Sequence, residues 1–263
     1  MKKLVFLLFI SSFSAVSSQN QKLTPIKIDS IRFDGDVFLG HDSFGFYYTI
    51  KNNVFSKINM RDTLEYKNIS LGKITKVDLQ NPLKIVLFYE NFNTVIVLDN
   101  QLNETQKINF SDHTIPIVAS AIGIASQNQL WVYNTMNQQL GLYDYLSNNY
   151  KTISVPFTEN IKNYSSDFNV FHWIDNKNSW YVCDIFGKII SKGIIPDYDS
   201  VTIINENQFI YSKNSILILE DVEKGEKTEI EISEKTFKEF CYKDQILSIF
   251  TSTGITNYKI TIP

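Results

Sequence analysis

The stretch that most constrains this chain is residues 74–110, ITKVDLQNPLKIVLFYENFNTVIVLDNQLNETQKINF. It divides into segments 74–80, 83–89, 94–100 and 104–110, each of about seven residues, a common strand length. Segments 83–89 and 94–98 are nearly continuous apolar runs, which suit strands buried on both faces. Segments 74–80 and 104–110 alternate more, as half-exposed strands do. The links between them are rich in Asn and Pro, which tolerate or preset turn dihedrals. Connections this short force antiparallel neighbours. A lone four-stranded sheet of this kind leaves apolar surface bare, so it needs copies of itself stacked on it.

Those copies are present. The central pair of strands recurs at 44–50 with 54–60, 129–133 with 139–143, 179–182 with 188–193, 208–211 with 215–219, and 245–250 with 255–260. With 83–98 this makes six repeats, at spacings of roughly 30 to 50 residues that match propeller blades. Innermost strands are expected at 36–40, 74–80, 119–125, 169–175, 201–206 and 237–242. Outer strands are expected at 64–69, 104–110, 150–155 and 226–232. No segment shows a sustained helical period with caps. The last repeat has three strands, and residues 26–33, IKIDSIRF, alternate like a strand. They are expected to close the ring as the outer strand of the last blade and so protect its edges. The expected fold is all-β: one β-propeller over 19–263, six-bladed, with four-stranded antiparallel blades. Five or seven blades, or a sandwich or barrel built from the same hairpins, are the alternatives.

Residues 1–18, MKKLVFLLFISSFSAVSS, place two lysines before an apolar run and end in small residues. This is the pattern of a secretory signal peptide, with cleavage expected near Ser18. The run is too short for a membrane span. No cysteine follows it, so no lipid anchor is expected, and the mature chain is expected to be soluble, exported and periplasmic. The net charge of −3 argues against nucleic acid or an anionic membrane as a main partner. Cys183 and Cys241 fall on different repeats and are expected to be free buried thiols.

The sequence contains no catalytic or metal motif and implies no cofactor. The histidines His41, His113 and His172 have no second His or Cys within five residues, whereas zinc and iron sites gather several ligands at defined spacing. His41, Asp42 and Ser43 are triad residue types, but consecutive residues do not converge on one point. Asp34 with Asp36, and Asp197 with Asp199, lack the ligand-rich loop of a calcium site and read as turn residues. No phosphate loop, nucleophile elbow or CxxC is present. Asp78, His172, Asp175 and Glu206 fall on expected inner strands and are candidates to line a central channel; for His172 a packed core imidazole is the alternative. Phe92, Tyr145, Tyr164 and Phe186 fall in or near turns. There they are candidates to anchor a protein partner, with packing between blades as the alternative.

Residues 81–104 (NPLKIVLFYENFNTVIVLDNQLNE) and 128–134 (NQLWVYN), together with the N-terminal pattern and an Asn-, Ile- and Lys-rich composition, resemble exported β-propeller proteins of Bacteroidota. The likeness is most specific over 73–145. It implies an accessory role at outer-membrane machinery such as type IX secretion, gliding or barrel assembly. It also implies O-glycosylation at Asp-Ser/Thr followed by an apolar residue, which marks Ser30, Thr63 and Ser200. The expected function is a non-enzymatic periplasmic scaffold that binds a protein partner of an outer-membrane complex. A propeller enzyme of the calcium-dependent lactonase or glycan-processing type, and a carbohydrate- or ligand-binding module, are the alternatives.

Overall fold

A computed structural model describes residues 21–32, 35–112 and 116–262. The signal-peptide pattern, His113 and Asp34 lie outside the described residues. The chain opens with β1 (Gln21–Leu23) and β2 (Ile26–Arg32) and then builds its blades in order. Blade 1 holds β3 (Val37–His41), β4 (Tyr47–Lys51), β5 (Val54–Ile58) and β6 (Thr63–Tyr66). Blade 2 holds β7 (Lys76–Asn81), β8 (Lys84–Tyr89), β9 (Thr94–Leu98) and β10 (Glu104–Asn109). Blade 3 holds β11 (Ala119–Ile124), β12 (Gln129–Asn134), β13 (Gln139–Asp144) and β14 (Asn149–Thr152). Blade 4 holds β15 (Ile161–Ser166), β16 (Val170–Asp175), β17 (Ser179–Asp184) and β18 (Ile189–Ile194). Blade 5 holds β19 (Ser200–Ile203), β20 (Gln208–Lys213), β21 (Ile216–Asp221) and β22 (Glu226–Ile230). Blade 6 holds β23 (Glu239–Lys243), β24 (Ile246–Phe250) and β25 (Gly254–Lys259), with β2 as its outer strand. The protein is a six-bladed β-propeller of four-stranded antiparallel blades.

The ring closes as the alternating pattern of residues 26–33 predicts. β2 pairs antiparallel with β25, from Ile26 opposite Lys259 to Arg32 opposite Gly254. Gly254 sits at φ +145°, and a Cβ there would lie 2.1 Å from the Ile31 carbonyl oxygen, so the closing strand needs a glycine at this point. A second device was not legible in the sequence. β1 adds to blade 5 as a fifth strand, parallel to β22, with Leu23 opposite Ile230. The N-terminal segment therefore straps two neighbouring blades together.

One inner strand differs from expectation. Residues 169–175 were expected to be innermost in blade 4; the inner strand is β15, and Val170–Asp175 is the second strand. The reason is burial. The second strand of a blade is covered on both faces by its neighbours, so it takes the apolar run VFHWID, buried from Phe171 to Asp175. The inner strand borders the channel, so IKNYSS is polar and only half-buried. In blade 4 apolarity marks the second strand, not the first.

The core lies in the seams between blades. Val86, Phe88, Val95 and Val97 of blade 2 pack on Ile122, Leu130, Val132 and Tyr143 of blade 3. Trp131, Tyr133, Phe171 and Trp173 fill the seam of blades 3 and 4, and Cys183 is buried there as a free thiol. Among the described residues, the seam that closes the ring, between blades 6 and 1, has a smaller buried apolar core: Phe38, Phe250 and Ile255, with Tyr47 and Cys241 against it. Polar groups fill the remainder. Ser248 donates to Asn257 Oδ1 at 2.7 Å, and Asn257 Nδ2 donates to Asp29 Oδ1 at 2.7 Å and to the Tyr47 hydroxyl at 2.8 Å.

Candidate functional site

Inner strands surround a central cavity of 590 Å³. Its wall includes His41 from β3, Lys76, Asp78 and Gln80 from β7, Tyr164, Ser165 and Ser166 from β15, and Cys241 and Lys243 from β23. His172 reaches it from β16, and Asp167 and Glu206 stand in the adjoining loops. Lys76, Asp78 and Gln80 alternate along one strand, so period two puts all three on the channel side. That signal was present in the sequence and picks out Lys76 alongside Asp78.

Three of the four channel candidates, Asp78, His172 and Glu206, come together on this wall. Asp175 does not. It ends the second strand, where its Oδ1 accepts from the backbone N–H groups of Lys177 and Ser179, each at 2.8 Å. It is a turn former of blade 4, because its strand is second rather than innermost.

Asp78 ties two blades. Its carboxylate accepts from the Gln80 N–H at 2.9 Å and from the Ile124 N–H of blade 3 at 2.7 Å. Enclosure pushes its pKa up, against the pull of those two bonds and of Lys76. Beside it, a Cβ at Gly123 would lie 1.9 Å from the Ser166 hydroxyl oxygen, so a side chain there would force Ser166 to move. Lys76 donates to the Tyr164 carbonyl at 3.3 Å and stands 4.6 Å from the centre of the Tyr164 ring. Burial lowers its pKa. Tyr164 stacks on Phe171 at 5.6 Å, and its hydroxyl accepts from the Ile122 N–H at 3.2 Å. Lys243 donates to the Leu79 carbonyl at 3.3 Å. Among the described residues, no three His, Cys, Asp or Glu side chains gather as a metal set.

His172 is 6% exposed, and its Nδ1 has no hydrogen-bond partner. Burial holds its pKa down to about 4, partly opposed by Asp167 and Glu206. The imidazole is therefore neutral in the folded protein near neutral pH. As pH falls below about 6.5, the unfolded chain takes up a proton that the folded chain refuses, so stability falls as the solution is acidified towards pH 4. The effect is on the order of 3 kcal/mol at full development. His172→Leu is expected to flatten urea-denaturation stability between pH 6.5 and 4; an unchanged slope would show that this imidazole does not resist protonation.

The four aromatic candidates separate into two pairs. Phe186 is 85% exposed at the tip of the loop between β17 and β18, and Phe92 is exposed in a short 3-10 turn of blade 2. Tyr145 is buried instead, its hydroxyl donating to Asn128 Oδ1 at 3.0 Å and bonded to Lys84. Tyr164 lies on an inner strand rather than in a turn. Neither of the latter pair presents its ring to a partner. Ser30 and Thr63 are exposed on outer strands β2 and β6, whereas Ser200 is half-buried at the start of inner strand β19.

The surface has a lopsided feature. Large exposed apolar side chains in described loops occur on blades 1 to 4 and the links that follow them, and on no loop of blades 5 and 6. The loops joining first to second and third to fourth strands open on one face of the ring. That face carries Phe44, Met60, Leu83, Leu146, Phe168 and Phe186. Leu83 is 61% exposed and Leu146 is 72% exposed. On blades 5 and 6 the equivalent loops are polar, Asn205-Glu206-Asn207, Glu223-Lys224-Gly225 and Asp244-Gln245.

No family model matches the chain. A BTB/POZ domain-containing protein of Acanthamoeba polyphaga mimivirus is 26% identical over 245 residues, which cover 89% of this chain. The chain spans 44% of that relative's length, less than half of it. Among solved structures, virginiamycin B lyase from Staphylococcus aureus superposes with a TM-score of 0.57 at 13% identity, over 86% of this chain and 80% of that one. The Swd1 β-propeller domain of Myceliophteria thermophila gives 0.57 at 11% identity, over 90% and 100%. A chain of the mitotic checkpoint complex gives 0.56 at 10% identity, over 100% and 99%. At these identities the likeness is one of fold. The fold is shared by an enzyme and by a subunit of a protein complex.

Proposed function

We propose that this protein is a non-enzymatic β-propeller scaffold that docks a protein partner on the loops of blades 1 to 4. The observation that carries this is that, among the described residues, exposed loop apolar side chains fall in that sector. Single exposed apolar residues are ordinary on any surface. Among the described residues, exposed apolar side chains also occur on strands of blades 5 and 6, at Ile26, Ile28 and Ile216; in described loops they fall on blades 1 to 4 and the links that follow them, which gives the two faces an apolar loop sector suited to a partner. Aromatic side chains anchor such contacts, and Phe44, Phe168 and Phe186 share one face. The N-terminal charge and apolar pattern supports export to the periplasm. The resemblance of residues 73–145 to exported Bacteroidota propellers supports a partner in an outer-membrane secretion or assembly complex.

The double variant Phe168→Asp/Phe186→Asp tests this. Both side chains are solvent-exposed, so the melting temperature is expected to stay within about 2 °C of the parent, as exposed substitutions rarely cost more than about 0.5 kcal/mol. Recovery of the partner from detergent-solubilised envelope is expected to fall at least about tenfold, the effect of losing a hot spot worth ~1.4 kcal/mol or more. Undiminished recovery would move the interface elsewhere.

A further inference from the structure

We propose that a groove on blade 6 binds an extended anionic oligosaccharide, one with carboxylate or sulfate groups on successive sugars. The groove runs along the β2–β25 pair and the turn before β25, and its volume is 850 Å³. Its described lining residues include two cations, Lys27 and Arg32, and no carboxylate. Strand pairing puts both cations on one face. Ser30 and Thr256 sit opposite each other with hydroxyl oxygens 3.3 Å apart, and period two places Arg32 on the side of Ser30. A bulge between Lys27 and Asp29 brings Lys27 back to that side, opposite Tyr258. Asp29 takes the other face, where it accepts from Asn257 at 2.7 Å. Glu234, near Thr256, accepts from the Tyr258 hydroxyl at 2.7 Å and is no part of the wall. Among the described residues neither cation has an ion pair, whereas Lys22 on β1 is tied to Glu231.

Spacing and the rest of the wall decide which anion. The residues opposite Lys27 and Arg32 are Tyr258 and Gly254, four apart on β25, so the two charges rise from backbone about 13 Å apart. That exceeds a single tetrahedral oxyanion and suits a ligand whose charges repeat along a chain. Between and beside the cations the wall bears hydroxyls, those of Ser30, Thr251, Ser252, Thr253 and Thr256. A hydroxyl both donates and accepts, so this wall complements sugar hydroxyls, whereas the carboxylates of an acidic peptide only accept. Among the described residues no aromatic ring lines the groove, so the bases of a nucleic acid find no stacking platform. The chain as a whole carries a net charge of −3. A polyanion is therefore drawn by this local pair of cations and not by the overall charge.

Calorimetry with a chondroitin sulfate hexasaccharide, maltohexaose, hexaglutamate and a hexameric oligothymidylate separates the parts of this proposal. The first carries both charge and hydroxyls, the second hydroxyls alone, and the last two charge without the hydroxylated frame. The chondroitin sulfate hexasaccharide is expected to bind in the micromolar to millimolar range at low salt, and the other three at least tenfold more weakly. Lys27→Gln/Arg32→Gln is expected to weaken it at least tenfold and to reduce the slope of log affinity against log salt by about two, one for each cation removed. Both side chains are exposed, so the melting temperature of the double variant is expected to stay within about 2 °C of the parent. Lys151→Gln, an exposed cation on the outer strand of blade 3, is expected to leave the affinity unchanged. No binding of the hexasaccharide at millimolar concentration, equal binding of any of the other three probes, full binding by the double variant, or an equal loss in Lys151→Gln would each overturn the proposal. The groove lies outside the apolar loops of blades 1 to 4, so none of these outcomes depends on the partner-binding surface.

Discussion

Deletion of residues 21–32 is expected to lower stability by on the order of 5 kcal/mol, or about 10–20 °C in melting temperature for a chain of this size. Two independent pieces of closure are lost. β2 leaves blade 6, which strips β25 of its partner along the pairing that runs from Ile26 to Arg32. β1 leaves blade 5, and with it Leu23, which packs against the cluster of Leu217, Leu219 and Ile230. Each backbone hydrogen bond contributes about 1 kcal/mol net, so the pairing alone accounts for several. Among the described residues the apolar core of the closing seam is small: Phe38, Phe250 and Ile255, with Tyr47 and Cys241 against them. Asp29, which accepts from Asn257, goes too. The exposed β25 edge is also a template for association between molecules, so the deletion is expected to aggregate on concentration. A melting temperature within a few degrees of the parent would show that the ring does not depend on its N-terminal strap.

Trp131→Ala is expected to cost about 3–5 kcal/mol. Trp131 is fully buried between blades 3 and 4, with Tyr133, Phe171 and Trp173 in the same cluster. Its Nε1 donates to the Asp167 carbonyl at 2.8 Å. Truncation empties the seam and also frees that carbonyl, at the start of a loop that borders the cavity. Trp131→Phe separates the two effects: it keeps most of the volume and removes the donor, with an expected loss of about 1–3 kcal/mol for the unpaired carbonyl and the lost ring edge. Urea unfolding followed by tryptophan fluorescence measures both. Equal losses for the two variants would assign the whole effect to the hydrogen bond; a loss under about 1 kcal/mol for Trp131→Ala would contradict the packing described for this seam.

The architecture was legible because propeller blades repeat their strongest signal. The second and third strands are apolar on both sides, and runs such as KIVLFY and QLWVYN announce them. Ring closure was legible because IKIDSIR alternates and the last repeat lacked an outer strand. β1 was not, because three residues, Gln21 to Leu23, carry no periodicity, and their parallel partner lies more than two hundred residues away. The channel was legible only in part. Asp78 was found because the inner strand of blade 2 precedes the clearest apolar pair. In blade 4 the inner strand IKNYSS is too polar to stand out beside the apolar VFHWID, which hides both the inner strand and the place of Tyr164 on it. His172 still borders the cavity from the second strand, while Asp175 falls at the far end of that strand, in the turn to β17. Lys243 could not be recognised before the fold was known, since only the closing of the ring brings β23 opposite β7 and sets Lys243 against Leu79. Exposure of Phe186 and burial of Tyr145 are likewise tertiary facts: both follow an apolar strand closely, but Tyr145 turns back onto Asn128 and Lys84.

The central claim is that blades 1 to 4 carry a partner. Cross-linking mass spectrometry on the protein isolated from intact cell envelope tests it most directly. The account predicts a stoichiometric partner, with cross-links clustered at lysines flanking the apolar loops, such as Lys67, Lys73, Lys84 and Lys188. Cross-links centred on Lys224, Lys227 and Lys259 of blades 5 and 6, or a protein that leaves the envelope without a partner, would contradict it.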